Sequence, residues 1–211
     1  MTESRNRTVG IVIYEQVEVL DFTGPFEVFS VTRTDPEADR QSPLPYSVRL
    51  IAQSMQTVTA TGGMRVLPDF SFSDCPALDI LVVPGGQGSR SQMENPELLR
   101  FITDRASEVG TVASVCTGSL LLAKSGLLDG KRATTHWRVL DLMQKMFPRV
   151  RVDRSRHVVA DGDVVTSAGI SAGIDMSLYL VAKQYGERIA RATARQMEYP
   201  YPESDRRRID L

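Results

Sequence analysis

The sequence is poor in the residues that carry cross-links and metals: 211 positions hold two cysteines, two histidines and one tryptophan. Cys75 and Cys116 cannot build a disulfide framework, and so sparse a cysteine content points to a reducing compartment, the cytoplasm. His136 and His157 stand apart from each other and from both cysteines, so no metal-ligand spacing arises and no metal site is expected. No apolar run approaches the roughly 20 residues of a membrane span. The N-terminal Met1-Thr2-Glu3-Ser4-Arg5-Asn6-Arg7 has no small-residue cleavage site of a signal peptide. An excess of either charge is also missing: 25 Lys+Arg face 26 Asp+Glu. That balance removes the electrostatic footprint of a dedicated nucleic-acid binder. Neither a Walker Gly-Lys-Ser/Thr nor a full dinucleotide fingerprint occurs, so a nucleotide is not supported.

Short buried-looking strands alternate with helical stretches. Strands are expected over 9–14, 46–52, 80–83, 111–115 and 131–135, with a hairpin inserted at 58–66 and a second hairpin pairing 156–161 with 163–166 around Gly162. Helices are expected from Gly24-Pro25 onward, with Pro25 in the first turn, and from an Asn95 cap to about 107. Others are expected over 118–125, 137–146, 171–185 and 187–197. This alternation implies one α/β domain with a doubly wound, mostly parallel sheet and helices on both faces. No linker or repeat divides the chain. The polar tail 201–211, with Arg206-Arg207-Arg208, reads as a solvated terminus, the alternative being contact with a phosphate or acidic surface.

Ligands of such sheets bind outside the carboxyl ends of the strands, and three loops there are unusual. The first is Val115-Cys116-Thr117-Gly118-Ser119, a strand–turn–helix of the kind that lifts a nucleophile above the sheet. Gly118 would ease the turn and leave room for substrate, while the helix N-terminus would favour thiolate over thiol. The plainer alternative is a buried small hydrophobe, which is the role expected of Cys75. The second loop is Pro84-Gly85-Gly86-Gln87-Gly88, whose amides could form an oxyanion hole or phosphate nest, or could simply turn the chain. The third is Leu20-Asp21-Phe22-Thr23-Gly24-Pro25, in which Asp21 is either a raised-pKa acid or a helix cap. Glu15 and Glu18 read as a solvent-exposed loop. His136 could approach Cys116 as a base or serve as a helix-start residue. His157 reads as surface.

Together with Ala133-Thr134-Thr135-His136-Trp137 and Ser171-Ala172-Gly173-Ile174-Asp175, these blocks run in order from about residue 8 to 200. In that order they resemble the ThiJ/PfpI superfamily, whose fold is flavodoxin-like and related to class I glutamine amidotransferases. Within it the chain is most similar to the branch holding isocyanide hydratase and the amidotransferase-like domains of AraC-type regulators, without the regulators' DNA-reading domain.

The resemblance implies a cofactor-free enzyme, a homodimer, with a small-molecule substrate and neither nucleic acid nor membrane as partner. Cys116 would be the nucleophile, Asp21 the acid, Thr117 its catalytic neighbour, and Gly85, Gly86 and Thr117 the polarising amides, with His136 in support. The implied reaction is hydration of an isocyanide to an N-substituted formamide through a Cys116 thioimidate. The protease-like branch carries Cys-His-Gly where this chain has Cys116-Thr117-Gly118, so a peptidase would lack its base. Two alternatives remain: a glyoxalase- or deglycase-like enzyme, whose acid is usually glutamate, and a redox sensor or regulatory ligand-binding domain.

Overall fold

The structure, a computed structural model, describes residues 6–37 and 42–209. Most of the N-terminal stretch considered above and the last two tail residues lie outside the described residues. The strands in chain order are β1 (Arg7–Val12), β2 (Tyr46–Ala52), β3 (Val58–Thr59), β4 (Arg65–Val66), β5 (Phe70–Ser71) and β6 (Ile80–Val83). They continue with β7 (Thr111–Val115), β8 (Arg132–Ala133), β9 (Arg151–Val152), β10 (Val158–Asp161) and β11 (Val164–Ser167). The helices are α1 (Val19–Val31), α2 (Ser89–Gln92), α3 (Pro96–Ala106), α4 (Gly118–Lys124), α5 (Leu140–Met146), α6 (Ala172–Tyr185) and α7 (Glu187–Gln196).

Seven strands make one sheet in the order β10-β11-β7-β6-β1-β2-β5. Every neighbouring pair is parallel except the β10–β11 hairpin. β6 and β7 are buried at every position, which is why neither alternates: β6 is apolar throughout, and β7 adds only the small polar side chains of Thr111 and Ser114. α1, α6 and α7 pack as one group, and α2 and α3 pack with α4, which lies against β6 and β7. The expected doubly wound α/β domain is therefore what the chain forms. β1 leads to β2 on one side, while β6 and β7 lie on the other. The strand order thus reverses between β1 and β6, and ligand crevices open at such a reversal.

The β3–β4 hairpin, joined by a 3₁₀ turn at Thr61–Gly63, braces the loop after β1. Gln16 N–H donates to Thr59 O (2.8 Å) and Thr61 N–H to Val17 O (2.8 Å). Several boundaries differ from expectation. β1 starts and ends two residues before the 9–14 read from apolarity, because Arg7 and Thr8 pair with Tyr46 and Ser47. α1 starts at Val19, so Pro25 lies inside the helix rather than in its first turn. Its missing N–H leaves the Asp21 carbonyl without the usual helical donor. Residues 137–146 form a 3₁₀ turn, Trp137–Val139, followed by α5. No helix among the described residues is long and apolar enough to cross a membrane.

One expectation of exposure is overturned, and a second is refined. His157 is 7% exposed, and its Nε2 stands 2.6 Å from Oδ2 of the buried Asp175 in α6. The tail is largely exposed, as expected, but also docked: Asp205 O accepts the His157 N–H (2.6 Å), Arg207 N–H donates to Ser155 O (2.8 Å), and Arg208 Nη2 meets Asp175 Oδ2 at 2.9 Å. A charge run read along one strand or tail carries no sign of the buried carboxylate it meets from another element.

Candidate active site

The loops after β1, β6 and β7 converge at the crevice, each bringing one of the residues singled out above. Asp21, in the first turn of α1, is fully buried. It does not cap its own helix; its Oδ2 accepts the Gly85 N–H at 2.9 Å. Its Oδ1 has no hydrogen-bond partner among the described residues. Burial lifts its pKa from an ordinary 3.8 to about 8; the Gly85 N–H opposes the rise, the Glu18 charge adds to it, and the Cys116 thiol opposes it. At neutral pH Asp21 is therefore a carboxylic acid, with a proton to give.

Cys116 forms the turn between β7 and α4 and takes φ +56°, the left-handed region. Holding a non-glycine residue there costs about 1–3 kcal/mol and persists only where the surroundings over-determine it. Here they do. The Cys116 N–H reaches Ser167 O (3.2 Å) and Ala168 O (3.1 Å), and its carbonyl accepts from the hydroxyls of Ser119 (3.0 Å) and Thr135 (3.0 Å).

Around the sulfur, the backbone N–H groups of Thr117 and Ile170 and the Thr117 hydroxyl favour the thiolate, but burial, followed by the Asp21 charge, outweighs them and pushes the thiol pKa up. The expected thiolate at a helix N-terminus is thus corrected: desolvation beats the dipole of a helix only seven residues long. The resting pair is a thiol beside a carboxylic acid.

Thr117 is a polar hub. Its Oγ1 accepts the Gly86 N–H at 3.0 Å and lies 2.9 Å from Ser89 Oγ. The amides of Gly85 and Gly86 are therefore engaged by Asp21 and Thr117 rather than free to polarise a substrate. The N–H groups facing the sulfur belong to Thr117 and Ile170. Gly86, at φ +128°, sits so close to the β1 loop that a Cβ would lie 2.4 Å from Glu18 N. That approach lets Glu18 N–H bond Gly85 O (2.9 Å) and fixes the start of α1. Gly118 leaves no space for substrate: a Cβ there would meet Val83 O at 2.0 Å. The gap is filled by the end of β6.

His136 caps the 3₁₀ turn, its Nδ1 accepting the Arg138 N–H at 3.2 Å. Burial, then Arg138 and Arg207, lower its pKa, so the ring is neutral. No hydrogen bond joins it to Cys116; the helix-start role is the one its contacts support. It does share a cavity of about 250 Å³ with Cys116, Thr117, Glu18, Arg90 and Ile170. A cavity of about 150 Å³ suffices for benzene, so this one suits a small molecule. Cys75 lies elsewhere, its thiol donating to Pro76 O at 3.4 Å.

Sequence reasoning missed two participants. Tyr14 is buried and donates its hydroxyl to Pro84 O at 2.7 Å; burial, then Asp21, then Cys116, raise its pKa. It reads in sequence as the last apolar residue of a strand. Ile170 contributes only its backbone N–H, for which no side-chain signal exists.

The sequence pattern of the DJ-1/PfpI family matches residues 7–183. The chain belongs to this family. It is 40% identical over 198 residues to isonitrile hydratase of Pseudomonas putida, covering 93% of this chain and 81% of that protein. It is 34% identical over 156 residues to the HTH-type transcriptional regulator GbdR of Pseudomonas aeruginosa, covering 73% of this chain but 42% of the regulator. Among solved structures, a ThiJ/PfpI family protein from Pseudomonas syringae superposes with a TM-score of 0.81 at 30% identity, over 95% of this chain and 78% of that one. The proteins similar to this chain thus include both an isonitrile hydratase and a transcriptional regulator.

Proposed function

We propose that this DJ-1/PfpI protein is a cofactor-free isonitrile hydratase that works through Cys116 and Asp21. The observation that carries the reading is the buried acid–thiol pair, with Asp21 protonated at neutral pH and its Oδ1 free of other partners. The likeness to the Pseudomonas putida isonitrile hydratase supports the substrate class.

The terminal carbon of R–N≡C must gain both a nucleophile and a proton. Asp21 gives its proton to that carbon as the Cys116 sulfur bonds to it, and the thiol proton returns to the Asp21 carboxylate. The product is a thioimidate, R–N=CH–S–Cys116, and the acid is regenerated. Water then adds to the same carbon, with Asp21 passing a proton to nitrogen and taking one from the water. The C–S bond breaks, the sulfur recovers a proton from the hydroxyl, and R–NH–CHO leaves. One isonitrile and one water are consumed for each formamide.

Thr117 holds the β6 loop and, with Ile170, offers N–H groups to the sulfur when it carries negative charge. His136 shapes the cavity wall. No nucleic acid, membrane or cofactor enters this reading, which includes a homodimer in the cytoplasm. Light scattering that returned a stable monomer would remove the dimer from it.

The test is formamide production from an aromatic isonitrile by the wild type, Cys116→Ala and Asp21→Asn. The expected result is turnover by the wild type only. Undiminished turnover by Cys116→Ala, or none by the wild type, refutes the mechanism. A regulatory ligand-binding domain is the second reading, supported by the likeness to GbdR; wild type that binds isonitriles without turning them over would favour it. Turnover of methylglyoxal alone would favour the glyoxalase reading.

A further inference from the structure

The docked tail reaches the reacting centre through a short chain of hydrogen bonds. Cys116 keeps its left-handed turn partly because the buried Thr135 hydroxyl donates to its carbonyl at 3.0 Å. Thr135 belongs to a loop fixed on one side by the sheet, where Thr134 N–H donates to Thr166 Oγ1 (2.8 Å). On the other side it is held by the Thr134 hydroxyl, which donates to Arg156 O (3.3 Å), and by a guanidinium that reaches both threonines. Arg207 Nη2 donates to Thr134 Oγ1 (2.8 Å) and to Thr135 O (3.2 Å), and its Nε donates to Arg154 O (3.0 Å).

No carboxylate lies within ion-pair distance of Arg207 among the described residues; burial lowers its pKa, and the more distant Asp153 charge opposes the shift. A partly buried cation without an ion-pair partner is retained here for the oxygens it ties together, a task suited to a planar fork of donors and poorly served by a lysine. The backbone around it is itself anchored: Arg207 N–H bonds Ser155 O (2.8 Å), Arg206 pairs with Arg156 in an antiparallel bridge, and Arg208 Nη1 reaches Tyr199 OH (3.2 Å).

We propose that Arg207 is a positioning residue for Cys116, acting through the Thr134-Thr135 loop to hold the strained turn that presents the sulfur. The proposal rests on the reading of Cys116 as the reacting residue. Without the guanidinium, Thr135 O and Thr134 Oγ1 lose their tie to the tail. The Thr135 hydroxyl then leaves the Cys116 carbonyl, and the sulfur drifts from the Thr117 and Ile170 N–H groups.

The experiment follows iodoacetamide alkylation of Cys116 by peptide mass spectrometry in a Cys75→Ala background, from neutral to alkaline pH, alongside hydration kinetics. Arg207→Ala is expected to move the pH profile of alkylation and to lower kcat about tenfold, the equivalent of one charge-assisted hydrogen bond, with KM nearly unchanged. Arg207→Lys recovers part of the loss. Arg206→Ala, one residue earlier on the same tail, leaves both measurements unchanged, as does no variant that frees the loop. Thr135→Val reproduces the Arg207→Ala profile, and combining the two adds little, as expected for groups acting in series.

A wild-type alkylation profile and kcat in Arg207→Ala, with only a lower unfolding midpoint, overturns the proposal. If Arg207→Ala does not fold, Arg207→Lys and Thr135→Val decide: a moved profile in both supports the proposal, and a wild-type profile in both overturns it. If the wild type hydrates no isonitrile, the alkylation profile alone decides, so failure of the hydratase reading and failure of the positioning role are told apart.

Discussion

Replacing Asp21 with asparagine should stabilise the protein, and do so more as the pH rises. In the unfolded chain this carboxyl titrates near 3.8, whereas in the fold burial raises it to about 8. Between those values the native state holds a proton that the unfolded state has released, so stability falls as pH increases. Each pH unit in that window is worth about 1.4 kcal/mol. From pH 4 to 7 the wild type therefore loses about 4 kcal/mol to this one group, and the loss levels off near 6 kcal/mol once the pH passes the folded-state value.

Asparagine keeps the shape and a carbonyl oxygen for the Gly85 N–H (2.9 Å in the wild type), but never ionises. The assay is urea unfolding of wild type and Asp21→Asn at a series of pH values, compared as the difference between the two so that all other carboxylates cancel. The difference should be small at acid pH, grow through neutrality and level off in mild alkali. A constant difference across the range would refute the claim that the fold suppresses the ionisation of Asp21, and with it the acid role.

Further outcomes follow from the same geometry. Gly118→Ala should cost about 3 kcal/mol or more in urea unfolding, because a Cβ would sit 2.0 Å from the Val83 carbonyl; a loss below about 0.5 kcal/mol would show that the β6 end yields. Cys116→Gly should melt above Cys116→Ala by about 1 kcal/mol equivalent, since glycine takes φ +56° without strain; equal melting would mean that the turn relaxes. His136→Gln should keep formamide production within about threefold, against the hundredfold or greater loss expected for a general base. Initial alkylation of wild-type Cys116 should be slow at neutral pH and rise steeply in alkali, because burial holds the thiol protonated; a rate already at its plateau at neutral pH would contradict this.

The strand over 80–83 was legible because a parallel strand buried on both faces is apolar throughout; those over 46–52 and 111–115 were legible from mostly apolar and β-branched residues between turn residues, although Ser47, Arg49 and Ser114 interrupt them. The two-residue strands β5 and β9 and the four-residue α2 were not; so few residues carry no period. Asp21, Cys116 and Thr117 were legible as strand-end residues, and the structure brings them together with Gly85 and Gly86. The chemistry of the amides was not legible, since hydrogen-bond partners such as Gly86 N–H and Thr117 Oγ1 lie 31 positions apart. Nor was the sign of the Cys116 shift. It depends on how deeply the turn is buried, and a helix N-terminus read from sequence gives only the opposing influence. The burial of His157 and the contact of Arg208 were not legible for one reason: each residue is charged by type, while the buried Asp175 that receives both lies on α6.

The strained turn at Cys116 has a consequence for the order in which the molecule comes into being. Its N–H is held by Ser167 and Ala168 and its carbonyl by Thr135. During synthesis the cysteine therefore emerges long before the residues that shape it. Until β11 and the residue after it have been made and laid beside β7, the Cys116 N–H lacks both of its acceptors, Ser167 O and Ala168 O. A chain ending before residue 167 would lack the acceptors that hold the Cys116 N–H in its left-handed turn. The turn at Cys116 is thus completed only by residues some fifty positions further along the chain, although the cysteine itself is encoded near the middle.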